Sequence, residues 1–192
     1  MQRDDTFIAS LYKALDFAVR YHGAVLQTRK STNVPYIIHP VGVMQILLEF
    51  TDDVEIIQAG ILHDILEDTN GTADDIEKAF SSRVKNLVIG ASEPEHDLKD
   101  WEARKVHTIN YVRNEANIPT LYVISADKLH NFSTIIDDYR KMGEKVWQKF
   151  NRGKEKQRWY YESMSEAILS RDPSNPLFKK FYDTVHDFFI GT

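Results

Sequence analysis

Apolar residues along this chain recur mainly at steps of three and four, the spacing of one face of an α-helix. Phe7, Leu11, Ala14, Leu15, Ala18 and Val19 predict a first amphipathic helix over about residues 5–22. From Gly23 to Pro40 the rhythm is lost, and the stretch reads as a loop carrying Gln27, Arg29, Lys30 and His39. Pro40 suits the first turn of a second helix, in which Val41, Val43, Met44, Leu47 and Leu48 run to the Thr-Asp-Asp at 51–53. Asp52 or Asp53 can then cap a third helix, VEIIQAGILHDILED, predicted as one unbroken element with Val54, Ile57, Ile61 and Leu62 on a broad apolar face.

Asn70-Gly71 ends that helix, and Thr72 with Asp75 three residues on forms a capping-box pattern for a fourth helix through Phe80. Val84 to Ile89 continue the apolar pattern, followed by a polar, acid-rich loop from Ala91 to Asp100 and a helix from Trp101 to about Glu115. The β-branched run after Pro119 has some strand character, but Leu121, Ile124, Leu129, Phe132 and Ile136 keep a helical period and no partner strand is evident. Two further helices are predicted over about 154–170 and 176–189, with the aromatic-rich Phe181 to Phe189 either closing the core or forming a dimer face. The fold class is therefore all-α, a compact multi-helix bundle without internal repeat or low-complexity linker.

Composition adds bounds to this picture. A length of 192 residues with 42% hydrophobic and 28% charged residues fits one globular domain over residues 1–192. The net charge of −5 argues against a DNA or RNA binder held by backbone phosphates. No run approaches the length of a membrane span and the N-terminus is amphipathic and acidic, so the expected location is cytoplasmic and away from membranes. The absence of Cys removes disulfides, thiolate catalysis and sulfur-ligated metals, leaving His and carboxylates for any cation.

Such a set is present. In His63-Asp64-Ile-Leu-Glu67-Asp68, the helical period puts Glu67 one turn from His63 and Asp64, and Asp68 one turn from Asp64. Three carboxylates packed on one stripe with an imidazole repel one another unless a divalent cation joins them. Residues 51–77 hold nine acids and no Lys or Arg, although the outer ones (Asp52, Asp53, Glu55 and those at 74–77) read as ordinary solvated helix-end acids. His39 beside Pro40, and Asp127 within an otherwise apolar helix, are the candidates to complete the ligand set.

The order His39, His63-Asp64, Asp127 resembles that of the HD-domain metal-dependent phosphohydrolases. More closely, QTRKS at 27–31, PYIIHP at 35–40, HDILEDT at 63–69 and ADKLHN at 126–131 resemble the hydrolase domain of the RelA/SpoT family, including its small stand-alone members, over about residues 20–140. That resemblance implies one metal, Mn2+, bound by His39, His63, Asp64 and Asp127. Donor chemistry by itself allows Mn, Fe, Co or Zn. It further implies Glu67 and Asp68 as the carboxylates that orient and deprotonate the attacking water, and Arg29 and Asn131 as nucleotide contacts. Lys30 and Lys128 stand beside these as cations for an anionic substrate.

A second basic cluster comprises Lys149, Arg152, Lys154, Lys156 and Arg158 and is followed by Trp159, Tyr160 and Tyr161. Gly153 before a helix starting near Lys154 offers backbone N–H groups and an ammonium to a phosphate, or else the cluster is a solvated helix start with Trp159 and Tyr160 in the core. Arg104 and Lys105 fall where the family often carries a basic pair. The 29–34 turn, the 90–100 loop and the residues after about 140 depart from the family pattern. The expected function is hydrolysis of the 3′-pyrophosphate of guanosine tetra- or pentaphosphate, the chain being too short for synthetase and regulatory domains as well. The alternatives are an HD phosphohydrolase for another nucleotide or phosphorylated metabolite, and a sensing domain that binds without turnover.

Overall fold

Ten α-helices and one 3-10 segment follow each other along the chain in the computed structural model, which describes residues 4–29, 33–92 and 100–191. Lys30 and most of the 91–100 loop lie outside the described residues, within which no strand occurs and only Thr28 and Pro35 form an isolated antiparallel bridge. The helices are α1 (Asp5–Ala24), α2 (Ile38–Phe50), α3 (Val54–Leu62), α4 (Ile65–Asp68), α5 (Ala73–Ala79), α6 (Ser82–Ala91), α7 (Trp101–Asn114), α8 (Ile118–Met142), α9 (Gly153–Arg171) and α10 (Pro176–Ile190). The 3-10 segment spans Gly143–Lys149 and has no counterpart in the sequence-based expectation. Among the described residues no helix is long and apolar enough to cross a membrane.

Local chemistry sets the helix ends. Asp4 accepts from the Phe7 N–H at the start of α1, Asp53 from Glu55 and Ile56 at α3, and Asn117 from Thr120 at α8. Thr72 and Asp75 satisfy each other reciprocally as a capping box at α5, as their spacing predicts. Two boundaries differ from expectation, and both matter for the site. Helix α2 starts two residues before Pro40, whose missing N–H falls in the first turn where it has no intrahelical partner, so His39 is helical and buried rather than in a loop. The third predicted helix is interrupted at His63-Asp64: Asp64 has φ −92° and ψ 0°, and α4 restarts after it.

Helix α3 is the buried centre, with every residue from Ile56 to Leu62 out of solvent, and it packs on α1, α2, α6 and α8. Gly60 permits this, since a Cβ there would stand 2.2 Å from Leu47 Cδ1 of α2. Helix α8 also packs on α3 and carries α2, α6, α9 and α10 around it. Phe132 of α8 meets Tyr161, Phe188 and Phe189 at ring separations of 4.7, 5.4 and 5.5 Å. Phe181, Val185 and Phe189 are buried against this chain's own helices, so α10 closes the core.

Several acids that read as solvated are in fact paired by residues further along the chain. Arg83 grips Asp53 through both Nη atoms (2.9 and 2.6 Å) and Glu55 at 2.7 Å, while Lys85 pairs with Glu77 at 2.7 Å. The hydrogen bonds from Arg83 hold the Asp53 and Glu55 carboxyls below their usual range. Because folded values are depressed, this stabilisation is present above the unfolded carboxylate values of about 4 and is lost as pH falls through the folded ones. The three side chains are 30–44% exposed, which discounts the energy. Arg83→Ala is expected to destabilise the protein by about 1 kcal/mol at neutral pH. The gap from the unmodified protein should narrow toward zero in denaturant melts below pH 3.

Candidate metal centre

Three separate segments aim donors at one point. His39 comes from the first turn of α2, His63 and Asp64 from the break between α3 and α4, and Asp127 from the middle of α8. His39 Nε2 lies 3.2 Å from His63 Nε2, 3.1 Å from Asp127 Oδ1 and 3.5 Å from Asp64 Oδ2. His63 Nε2 lies 2.9 Å from Asp64 Oδ2 and 3.5 Å from Asp127 Oδ1. His39, His63 and Asp64 are a set whose donor atoms can hold a metal ion, and Asp127 lies against both imidazoles of it.

The helix break frees a backbone acceptor, and one of the donors uses it. Here the Gly60 carbonyl, which an unbroken helix gives to the Asp64 N–H, takes the His63 Nδ1–H at 2.8 Å. That bond fixes the proton on Nδ1 and turns the Nε2 lone pair toward Asp64 and Asp127.

Each remaining donor is also held. Tyr36 donates its hydroxyl to Asp64 Oδ2, and burial first, then Asp64 itself, raises the phenol so that it stays protonated. Asn131 Nδ2 donates to Asp127 Oδ1 at 2.6 Å, while Lys128 pairs with Asp127 Oδ2 at 2.8 Å. His39 Nδ1 lies 2.8 Å from His130 Nδ1. Burial, then the neighbouring His39 and Arg29, lowers His130 to about 4, so its ring is neutral.

The electrostatics are those of a cation acceptor. Burial opposes charge on Asp64 and Asp127, yet His63 beside Asp64 and Lys128 beside Asp127 outweigh it, lowering Asp64 to about 2 and Asp127 well below the carboxylate range. In the same way burial opposes a proton on His63, but the two carboxylates raise its pKa above the ordinary value. Donors held roughly 2.0–2.2 Å from one cation stand roughly 2.8–3.6 Å apart when adjacent. The separations of 2.9–3.5 Å seen here, from two imidazoles and two carboxylates without sulfur, fit such an ion.

Glu67 and Asp68 are exposed on α4, three and four residues after Asp64. Asp68 Oδ2 accepts from Gln27 Nε2 at 2.8 Å, and Gln27 Oε1 in turn accepts from His22 Nδ1 at 2.6 Å. The turn after α4 is instead tied by Thr69, whose hydroxyl donates to the Ile65 carbonyl and accepts from the Gly71 N–H, leaving Asp68 to face Gln27. Arg29 donates to Asn131 Oδ1 at 2.9 Å and lies 5.6 Å from the Tyr36 ring, so the residues implied for nucleotide contact adjoin the cluster.

Four of the five residues of the second basic cluster are engaged in ion pairs. Lys154 pairs with Glu144 at 2.9 Å, Lys149 with Asp138, Lys156 with Glu102, and Arg158 with Glu162. Tyr160 and Tyr161 are buried, and Trp159 is half-buried against Trp101, so the aromatics of this segment belong to the core. Sequence reasoning did not single out His22, Tyr36 or His130 for any role. Tyr36 and His130 lie inside PYIIHP and ADKLHN, the motifs that supplied their neighbours.

An all-α bundle in which a His-Asp pair at a helix break meets a helical His and an Asp on a central helix has the architecture of an HD domain. The HD domain family model matches residues 14–155, and the chain belongs to that family. Among its relatives is guanosine-3′,5′-bis(diphosphate) 3′-pyrophosphohydrolase of Borreliella burgdorferi, 36% identical over 137 residues, which cover 69% of this chain and 20% of that one. The chain thus spans about a fifth of the length of this curated relative. The crystal structure of lmo0812 from Listeria monocytogenes EGD-e is 33% identical, with a TM-score of 0.70 over 79% of this chain and 98% of that one. A metazoan ortholog of SpoT that hydrolyzes ppGpp shares the fold at 22% identity, with a TM-score of 0.74 over 94% of this chain and 95% of that one.

Proposed function

We propose that residues 1–192 act as one phosphohydrolase domain that binds Mn2+ through His39, His63, Asp64 and Asp127 and removes the 3′-pyrophosphate of guanosine tetra- or pentaphosphate. The observation that carries this reading is the meeting of four oriented donors from three segments, with Asn131 linking Arg29 to Asp127 and two further carboxylates following on α4. The activity named for the Borreliella burgdorferi relative supports the choice of substrate. A bound divalent ion would polarise a phosphoryl oxygen and lower the pKa of water.

The chain's own residues do the rest. Gln27 holds Asp68 Oδ2, which leaves the other carboxylate oxygen free to take the proton of the attacking water, and Glu67 works beside it. Water adds to the phosphorus bonded to the ribose 3′-oxygen, that P–O bond breaks, and the 3′-oxygen leaves with a proton. Arg29 and Asn131 hold the nucleotide, Lys30 and Lys128 meet its phosphates, and Lys154 exchanges Glu144 for a phosphate oxygen. The substrate is a small anionic nucleotide in the cytoplasm rather than DNA or RNA.

The test is pyrophosphate release from 3′-pyrophosphorylated guanosine nucleotides by purified protein with Mn2+, beside ordinary nucleotides and phosphate esters. We expect preferential release that EDTA abolishes and Mn2+ restores. Metal-dependent turnover of another ester would keep the HD chemistry and replace the substrate, whereas binding without turnover would make this a sensing domain.

A further inference from the structure

Beside its two donor imidazoles the centre has a third that is not a donor. His130 follows Asp127 by three residues on α8, and its ring lies 4.8 Å from that of His39, the two Nδ1 atoms 2.8 Å apart. Two imidazole nitrogens at that distance share one proton, so one donates and the other accepts. If His39 is to offer the Nε2 lone pair to a cation, its proton must sit on Nδ1, and that buried N–H needs an acceptor. His39 is 1% exposed, so water is not a ready substitute.

An independent observation on α2 agrees. Gly42 is buried inside this helix, where glycine costs about 1 kcal/mol relative to alanine. A Cβ at 42 would stand 2.0 Å from His130 Nε2 and 2.1 Å from its Cδ2, closer than any packing allows. Residues 39 and 42 share one face of α2, so the helix that supplies the ligand also supplies the notch for the ring behind it.

We propose that His130 is the positioning residue of His39, accepting its Nδ1–H and so aiming Nε2 into the metal centre, and that Gly42 is there to admit the His130 ring. The inference rests on the metal-centre reading above. Each half of it makes a separate demand. The role requires an acceptor at the Nδ1 position, which Asn can provide through Oδ1 and Leu cannot. It also requires space at residue 42 only when a ring is present at 130.

The experiment is calorimetric titration of the purified, folded protein with Mn2+, each variant first checked by circular dichroism. Loss of an outer partner of a metal-bound His typically weakens binding about 10–100-fold, and His130→Leu is expected to fall in that range. His130→Asn should recover most of the affinity. Gly42→Ala should weaken binding comparably to His130→Leu, yet add nothing further in a His130→Ala background, the non-additivity expected of residues acting through one contact. Binding by folded His130→Leu at wild-type strength, or additive losses in the Gly42 and His130 pair, would overturn the assignment and leave the metal centre intact. A wild-type protein that takes up no Mn2+ would overturn the centre itself and this inference with it.

Discussion

Asp64→Ala is expected to leave a folded chain that neither takes up Mn2+ nor releases pyrophosphate, the largest functional effect of any single substitution here. Asp64 Oδ2 is the point where His63, His39 and the Tyr36 hydroxyl meet, so its loss takes a donor and the anchor of its neighbours together. A metal acting as Lewis acid contributes several kcal/mol to such a reaction, which corresponds to roughly a thousandfold or more in rate. The change also leaves the Tyr36 hydroxyl without its acceptor, so Asp64→Asn, which keeps a carbonyl oxygen there, is the companion variant. Thermal melts of both, beside Mn2+ titration and turnover, separate lost chemistry from lost structure. Near-normal turnover by a folded Asp64→Ala protein would remove the centre from the mechanism.

Phe132→Ala should produce the largest loss of stability, about 3–5 kcal/mol, a range typical of deleting a buried phenylalanine ring. Phe132 is fully buried, and its ring is the contact at which α8 receives Tyr161 from α9 and Phe188 and Phe189 from α10. Emptying that place loosens two helices at once, with little scope for collapse around a bulky aromatic cluster. For a chain of this size the melting temperature should fall by roughly 10 °C. A drop of only a degree or two in a calorimetric scan would mean that the cluster repacks, contrary to this account.

The parts of the structure legible in the sequence are those governed by short-range rules. Thr72 and Asp75 announce their capping box by spacing, and Leu121, Ile124, Leu129, Phe132 and Ile136 announce α8 by a period that operates from one turn to the next. The His-Asp dipeptide, His39 and Asp127 stood out because charge in an apolar setting demands a partner. What remained hidden depends on distant partners. Period alone ran straight through the α3–α4 break, because the Gly60 carbonyl is claimed by an imidazole rather than by any change of pattern. The pairing of Asp53 and Glu55 needed Arg83 from α6, and Gln27 acquires significance only where the fold brings Asp68 to it. His130 gains its meaning only where α2 lies against it with a glycine.

The interruption after Leu62 has a consequence for anyone improving this protein. Substitutions that heal the break, by favouring continuous helix through residues 60–66, add backbone hydrogen bonding and should be enriched in a screen for thermal or protease resistance. They would also return the Gly60 carbonyl to the Asp64 N–H, and the His63 ring would lose the acceptor that aims its Nε2 at Asp64 and Asp127. At this place foldability and chemistry are opposed, so a library selected for robustness alone will accumulate inert proteins there, with their mutations clustered around the dipeptide rather than in it.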